Sequence, residues 1–86
     1  MSTTEFTLAD LCRILTEAAG ADGSTAISDD ALDTEFEELG YDSLALMETG
    51  ARIERAYGIR IAEEALAAAL APRALIDLVN RMTAAA

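Results

Sequence analysis

The chain has no histidine, no lysine and no tryptophan, and only one cysteine and one proline among its 86 residues. Without histidine or lysine, an ordinary acid–base or nucleophilic active site is hard to assemble, so an enzyme is the least favoured class. Cys12 has no partner for an internal disulfide, which fits a reducing cytoplasm. It sits on an apolar helical stripe and reads as packing rather than as a nucleophile. No apolar run approaches a membrane span and no charged-then-apolar leader opens the chain, so no membrane association is expected. The four aromatics, Phe6, Phe36, Tyr41 and Tyr57, leave the core to Leu, Ile, Val and Met, with modest stability expected.

Basic side chains are scarce too: six arginines face sixteen acids, a formal net charge of −10. The imbalance lies in residues 1–42, which hold eleven acids and a single base, Arg13, whereas residues 43–86 hold five of each sign. Such a field repels nucleic acid and anionic lipid and steers the protein toward basic protein surfaces. The acids at positions 29, 30, 33 and 35 lack the EF-hand spacing and its glycine, so no metal site is assigned.

What the chain does have is helical periodicity. Thr7 and Asp10 stand at capping-box spacing, Phe6 and Leu11 are placed as a hydrophobic staple, and Leu8, Leu11, Cys12 and Leu15 form one stripe. Gly20 and Gly23 should end this first helix. Residues 20–42 have no strong period; Ile27, Leu32, Phe36 and Leu39 read as anchors of a long loop with a helical turn near 34–38. A second helix is expected from Ser43 to Tyr57, stopped by Gly58, with Leu46, Gly50, Ile53 and Tyr57 toward the core. Leu44, Met47 and Ala51 form a second stripe that the helix's own core does not require. Glu48 and Arg52 are spaced to pair on its surface. A short third helix fits Ala62 to about Leu70, and Pro72 opens a fourth that ends near Thr83, leaving Ala84–Ala86 to fray. The expectation is a single all-α domain over residues 1–86: three main helices, a shorter third one, and a long loop between the first two.

The most informative segment is Gly40-Tyr41-Asp42-Ser43-Leu44-Ala45-Leu46-Met47-Glu48. A glycine turn delivers Asp-Ser to a helix start, where aspartate is a favoured N-cap. Ser43 then lies in the first turn, among backbone donors that suit a phosphate. A surface serine at a helix start is common by itself. The extended string GYDSLALMETGARIERAYGI, with TLADLCRIL before it and APRALIDLVN after it, resembles the acyl carrier proteins of type II aromatic polyketide synthases.

That resemblance implies a 4'-phosphopantetheine arm on Ser43, with Asp42 as helix cap and contact for the transferase. It implies docking of partner enzymes at Leu44, Met47 and Glu48, with Glu37 and Glu38 meeting basic partner surfaces. The implied partners are a phosphopantetheinyl transferase, a malonyl transferase, a ketosynthase with its chain-length factor, a ketoreductase and cyclases; the carrier itself would be a monomer. Arg73 and Asn80, seven apart on the fourth helix, correspond to positions proposed to meet the carbonyls of a poly-β-ketone; read from the residues alone, they are an arginine snorkelling at a helix start and an asparagine hydrogen-bonding a loop. Alternatives are a fatty-acid or other specialised acyl carrier and, in a different class, an acidic helical adaptor without a prosthetic group. Two departures from the family pattern concern the third helix: Ala62 replaces a usual proline, and Leu70-Ala71 offer no side-chain cap for the fourth helix.

Overall fold

The computed structural model describes residues 5–19 and 27–85. Helix α1 (Leu8–Ala19) starts where Thr7 and Asp10 predict. The Thr7 amide donates to Asp10 Oδ2 at 3.1 Å and the Asp10 amide donates to Thr7 Oγ1 at 3.2 Å. Two donors of the first turn are thus satisfied reciprocally, with aspartate in the role usually given to glutamate. Burial pushes the Asp10 carboxyl up, but hydrogen bonds from Thr7 and Arg13 outweigh it and hold its pKa below the ordinary value. Phe6 and Leu11 are both buried, as a hydrophobic staple requires. The expected stops at Gly20 and Gly23 lie outside the described residues.

Three further helices follow a 3-10 turn at Asp29–Ala31: α2 (Ser43–Tyr57), α3 (Glu63–Ala68) and α4 (Pro72–Ala85). Helix α1 packs on α2 and α4, and the core comprises Leu11, Ile14, Leu15, Ile53, Leu75 and Val79 with loop residues Ile27, Phe36 and Ile61. The few aromatics matter more to this core than their number suggests. Phe6 and Phe36 are among its largest fully buried side chains. Each meets a tyrosine edge to face, Phe6 with Tyr57 at 5.4 Å and Phe36 with Tyr41 at 6.3 Å between centroids. Such pairs add stability beyond the area they bury. Methionine contributes less than expected: Met47 is exposed and Met82 only half-buried.

Helix α2 has the predicted bounds. Gly58 adopts the left-handed conformation that ends it (φ 67°), and the Glu54 carbonyl accepts from both Gly58 and Ile59. The Glu54 carboxylate reaches further, accepting from the Ile61 amide at 2.7 Å, and so straps the loop leading to α3. Midway along α2, Gly50 is fully packed: a Cβ there would stand 2.8 Å from Leu66 Cδ2 of α3. Thr49 beside it is buried, its hydroxyl donating to the Ala45 carbonyl at 2.8 Å.

Helix α3 is shorter than its alanine run suggests. The backbone leaves the helical region at Ala69 (φ −87°, ψ 79°), and Leu70 and Ala71 lead directly into Pro72. Proline disfavours helical geometry in the residue before it, and the Leu70 carbonyl is engaged elsewhere, accepting from the Phe36 amide at 2.8 Å. The absent side-chain cap of α4 is replaced by the long loop: the Leu32 carbonyl accepts from the Arg73 amide at 2.9 Å. Pro72 has no amide to satisfy.

Two local expectations are corrected and one is met. Arg52 does not pair with Glu48 but lies 3.9 Å from Glu17 of α1, because Arg52 turns toward that helix while Glu48 stays exposed. The loop has a 3-10 turn at Asp29–Ala31 that was not expected, while the helical turn near 34–38 is present, the Leu39 amide donating to the Glu35 and Phe36 carbonyls. Helix α4 continues to Ala85, past the expected end near Thr83.

The N-terminal segment is tied to α4 by Asn80. Its Oδ1 accepts from the Phe6 amide at 2.7 Å and its Nδ2 donates to the Phe6 carbonyl at 3.0 Å. Asn80→Ala should therefore destabilise the fold by about 1–3 kcal/mol in urea denaturation, since two partly buried backbone groups lose their partner. Asp10 gives a pH signature. Its folded pKa is depressed, so its contribution is present above the unfolded carboxylate range and is lost as pH falls through the folded value. The stability gap between the parent and Asp10→Ala should be constant near neutrality and shrink below about pH 4, followed by denaturation at stepped pH.

Candidate functional site

The head of α2 is built by the loop before it. Phe36 is fully buried, and its carbonyl accepts from the amides of Leu39 and Tyr41 at 3.0 and 2.9 Å. Gly40 has φ 95°, a conformation side chains resist, which lets the chain reverse between Leu39 and Tyr41. Tyr41 then drops into the core against Phe36, only 8% exposed. Burial, assisted by the nearby Cys12, pushes the Tyr41 phenol above its ordinary pKa. With Tyr41 anchored inward, Asp42 and Ser43 emerge at the surface.

Asp42 is the N-cap of α2, in extended conformation, and its Oδ1 accepts from the Ala45 amide at 2.9 Å. Its carbonyl accepts the first intrahelical bond, from Leu46. Ser43 is the first helical residue and is exposed. The Ser43 and Leu44 amides have no acceptor among the described residues, so donors remain for a phosphate beside the serine oxygen.

Ser43 lies on the edge of a pocket of about 640 Å³ between α2, the loop and α3. Phe36, Tyr41, Leu46, Leu66 and Ala69 supply its apolar wall, and Glu35, Glu37 and Glu63 its exposed carboxylates. Two of the most exposed large apolar side chains line it, Met47 at 56% and Leu70 at 55%, and a third, Leu44 at 67%, follows Ser43 in the chain. Leu44 and Met47 belong to the second stripe noted in the sequence. In the sequence Leu70 stands out only for the missing cap of the fourth helix and not as a docking residue, because the alanine-rich stretch 65–71 conceals the helix end that exposes it.

Glu37, Glu38 and Glu48 are exposed and form no ion pair among the described residues. Arg73 and Asn80 do not line the pocket. Arg73 Nε donates to Asp33 Oδ1 at 2.9 Å, which raises the guanidinium pKa further, while Asn80 holds Phe6. Cys12 is half-buried, its Sγ 3.8 Å from the Ile27 carbonyl oxygen. Among the described residues no group of acidic, cysteine or histidine side chains is placed to hold a metal ion, and no helix is long and apolar enough to cross a membrane.

A family model described as a phosphopantetheine attachment site matches residues 8–79. The monensin polyketide synthase acyl carrier protein of Streptomyces virginiae is 60% identical over 86 residues, covering 100% of this chain and 97% of that protein. The chain belongs to the family of polyketide synthase acyl carrier proteins. The actinorhodin carrier of Streptomyces coelicolor is 49% identical over 77 residues, 90% of each chain. The carrier's fold matches the solution structure of the 3,5-dioxohexyl form of that protein, with a TM-score of 0.85, 48% identity and 99% of each chain covered. It also matches the oxytetracycline carrier, with a TM-score of 0.83, 45% identity and 98% and 90% covered.

Carriers of this family bear 4'-phosphopantetheine covalently, and the head of α2 suits that group: an exposed hydroxyl, unpaired amides and an adjoining apolar pocket. The cap can be tested separately from any attachment. Asp42→Ala should cost about 1 kcal/mol in thermal or urea unfolding, and Asp42→Asn much less, because asparagine is also a favoured N-cap.

Proposed function

We propose that this chain is the acyl carrier of a type II aromatic polyketide synthase, with its 4'-phosphopantetheine on Ser43. The observation that carries the residue assignment is an exposed serine hydroxyl on the first turn of α2, behind the Asp42 cap and beside an apolar pocket. A transferase would form the phosphoester at Ser43 Oγ and break the pyrophosphate of coenzyme A. When bound, the arm supplies a terminal thiol on which acyl groups travel as thioesters. The actinorhodin carrier has been solved in malonyl and 3,5-dioxohexyl forms, which supports malonyl units and growing poly-β-ketones as cargo here.

In this reading the protein is a cytoplasmic monomer that performs no catalysis. It raises the effective concentration of cargo at each enzyme in turn. Leu44 and Met47, joined by Leu70, supply apolar contact, and Glu37, Glu38 and Glu48 guide encounter with basic surfaces on the transferase, malonyl transferase, ketosynthase with chain-length factor, ketoreductase and cyclases. Exposed charges of this kind act mainly on association rate and salt sensitivity. Arg73 and Asn80 already hold Asp33 and Phe6, which anchors the loop and the N-terminal segment, and a polyketone would have to be met by the donors they keep free.

Intact mass after incubation with coenzyme A, magnesium and a promiscuous phosphopantetheinyl transferase tests the assignment. The parent should gain one phosphopantetheine and Ser43→Ala none. A folded parent that gains nothing overturns the carrier reading and leaves the acidic adaptor.

A further inference from the structure

The far end of α2 carries a polar groove that phosphopantetheine attachment does not use. It has a volume of about 690 Å³, and Arg13 and Glu17 of α1, Arg52, Arg55 and Tyr57 of α2, and Thr83 of α4 line it. Three of the chain's six arginines therefore converge on one face of a protein whose net charge is −10. One of them, Arg13, is the only base in residues 1–42. Folding brings it to the two that α2 contributes.

These guanidiniums are poorly satisfied. Arg13 lies 3.4 Å from Asp10 and Arg52 lies 3.9 Å from Glu17, both longer than a strong charge-assisted bond, whereas Arg73 reaches Asp33 at 2.9 Å. Among the described residues Arg52 Nε is buried without an acceptor and Arg55 has no ion pair. Even counting Asp10 and Glu17, positive charge is in excess. The groove is nine to fourteen positions from Ser43 along α2, about 14–21 Å at the helical rise. That exceeds the Debye length of about 10 Å at 0.1 M salt, so charges beside Ser43 at the head of α2 are largely screened from it.

We propose that this groove docks an acidic segment of a partner protein, one rich in Asp and Glu, independently of the Ser43 end. Arginine forks match carboxylates in a bidentate manner. The groove is too large for one small anion, and Ile14, Ala56 and the Tyr57 ring give it apolar surface between the charges, which suits a peptide better than a phosphate. The acidic partner would bind opposite in sign to the basic surfaces met near Ser43, so one carrier can hold two partners without competition.

The test is titration of the isotope-labelled full chain with a capped glutamate–leucine peptide at about 0.1 M salt, read by amide chemical shifts, with inorganic phosphate in a parallel arm. Shifts should be confined to residues near positions 13–17, 52–57 and 83. The exposed-site double variant Arg13→Gln/Arg55→Gln should weaken binding roughly tenfold, whereas Arg81→Gln, outside the groove, should bind as the parent does. Phosphopantetheinylation at Ser43 should be unchanged in all of them, which separates this result from the carrier assignment. No localised shift, undiminished binding by the double variant, or an equal response to phosphate, marking a small-anion site only, would overturn the proposal.

Discussion

Two backbone hydrogen bonds tie the long acidic loop to the junction between α3 and α4: the Phe36 amide to the Leu70 carbonyl, and the Arg73 amide to the Leu32 carbonyl. The first fixes Phe36, whose own carbonyl holds the turn that ends in Tyr41 and whose ring receives the Tyr41 ring. The second serves as the N-cap that α4 lacks in sequence. The same pair therefore aims Asp42 and Ser43, ends α3, starts α4 and closes one wall of the pocket beside the serine. A loop in so small a domain would otherwise cost conformational entropy with little return.

How much of this was legible depended on the range of the signal. The Thr7–Asp10 box, the Asp42 cap and the Gly58 stop are written within four residues of where they act, and the fold obeys each of them. The Asp-Ser-Leu head of α2 was equally plain, together with the apolar stripe of Leu44 and Met47. The features that escaped are long-range. Asn80 finds Phe6 across 74 positions, Arg73 finds Asp33 across 40, and Arg52 prefers Glu17 on another helix to Glu48 one turn away. The end of α3 was hidden for the same reason: alanine propensity favours continuation, and a tertiary bond to Phe36 with the geometry before Pro72 overrides it.

The chemistry of the chain follows from what it omits. There is no histidine or lysine, the one thiol is half-buried 3.8 Å from a carbonyl oxygen, and the groups beside Ser43 are carboxylates and apolar side chains. In the proposed reading the chain contributes one hydroxyl as attachment point, that of Ser43 on the first turn of α2. Helix α2 carries both surfaces proposed for recognition, carboxylates and apolar residues at its head and arginines at its tail, so a single helix sets the spacing between them.

Gly50 has a consequence for how such a carrier can change. Glycine in a helix interior costs roughly 0.5–1 kcal/mol relative to alanine, and here the space is taken by Leu66, whose other side lines the pocket. Adding one carbon at position 50 would drive Leu66 away from α2 and alter the room beside Ser43 from behind the wall. Neither the wall residues nor any side chain that a partner touches would need to differ. Capacity and recognition are thus separately mutable: the space beside Ser43 can be resized by one buried substitution while the surface seen by the enzymes stays the same.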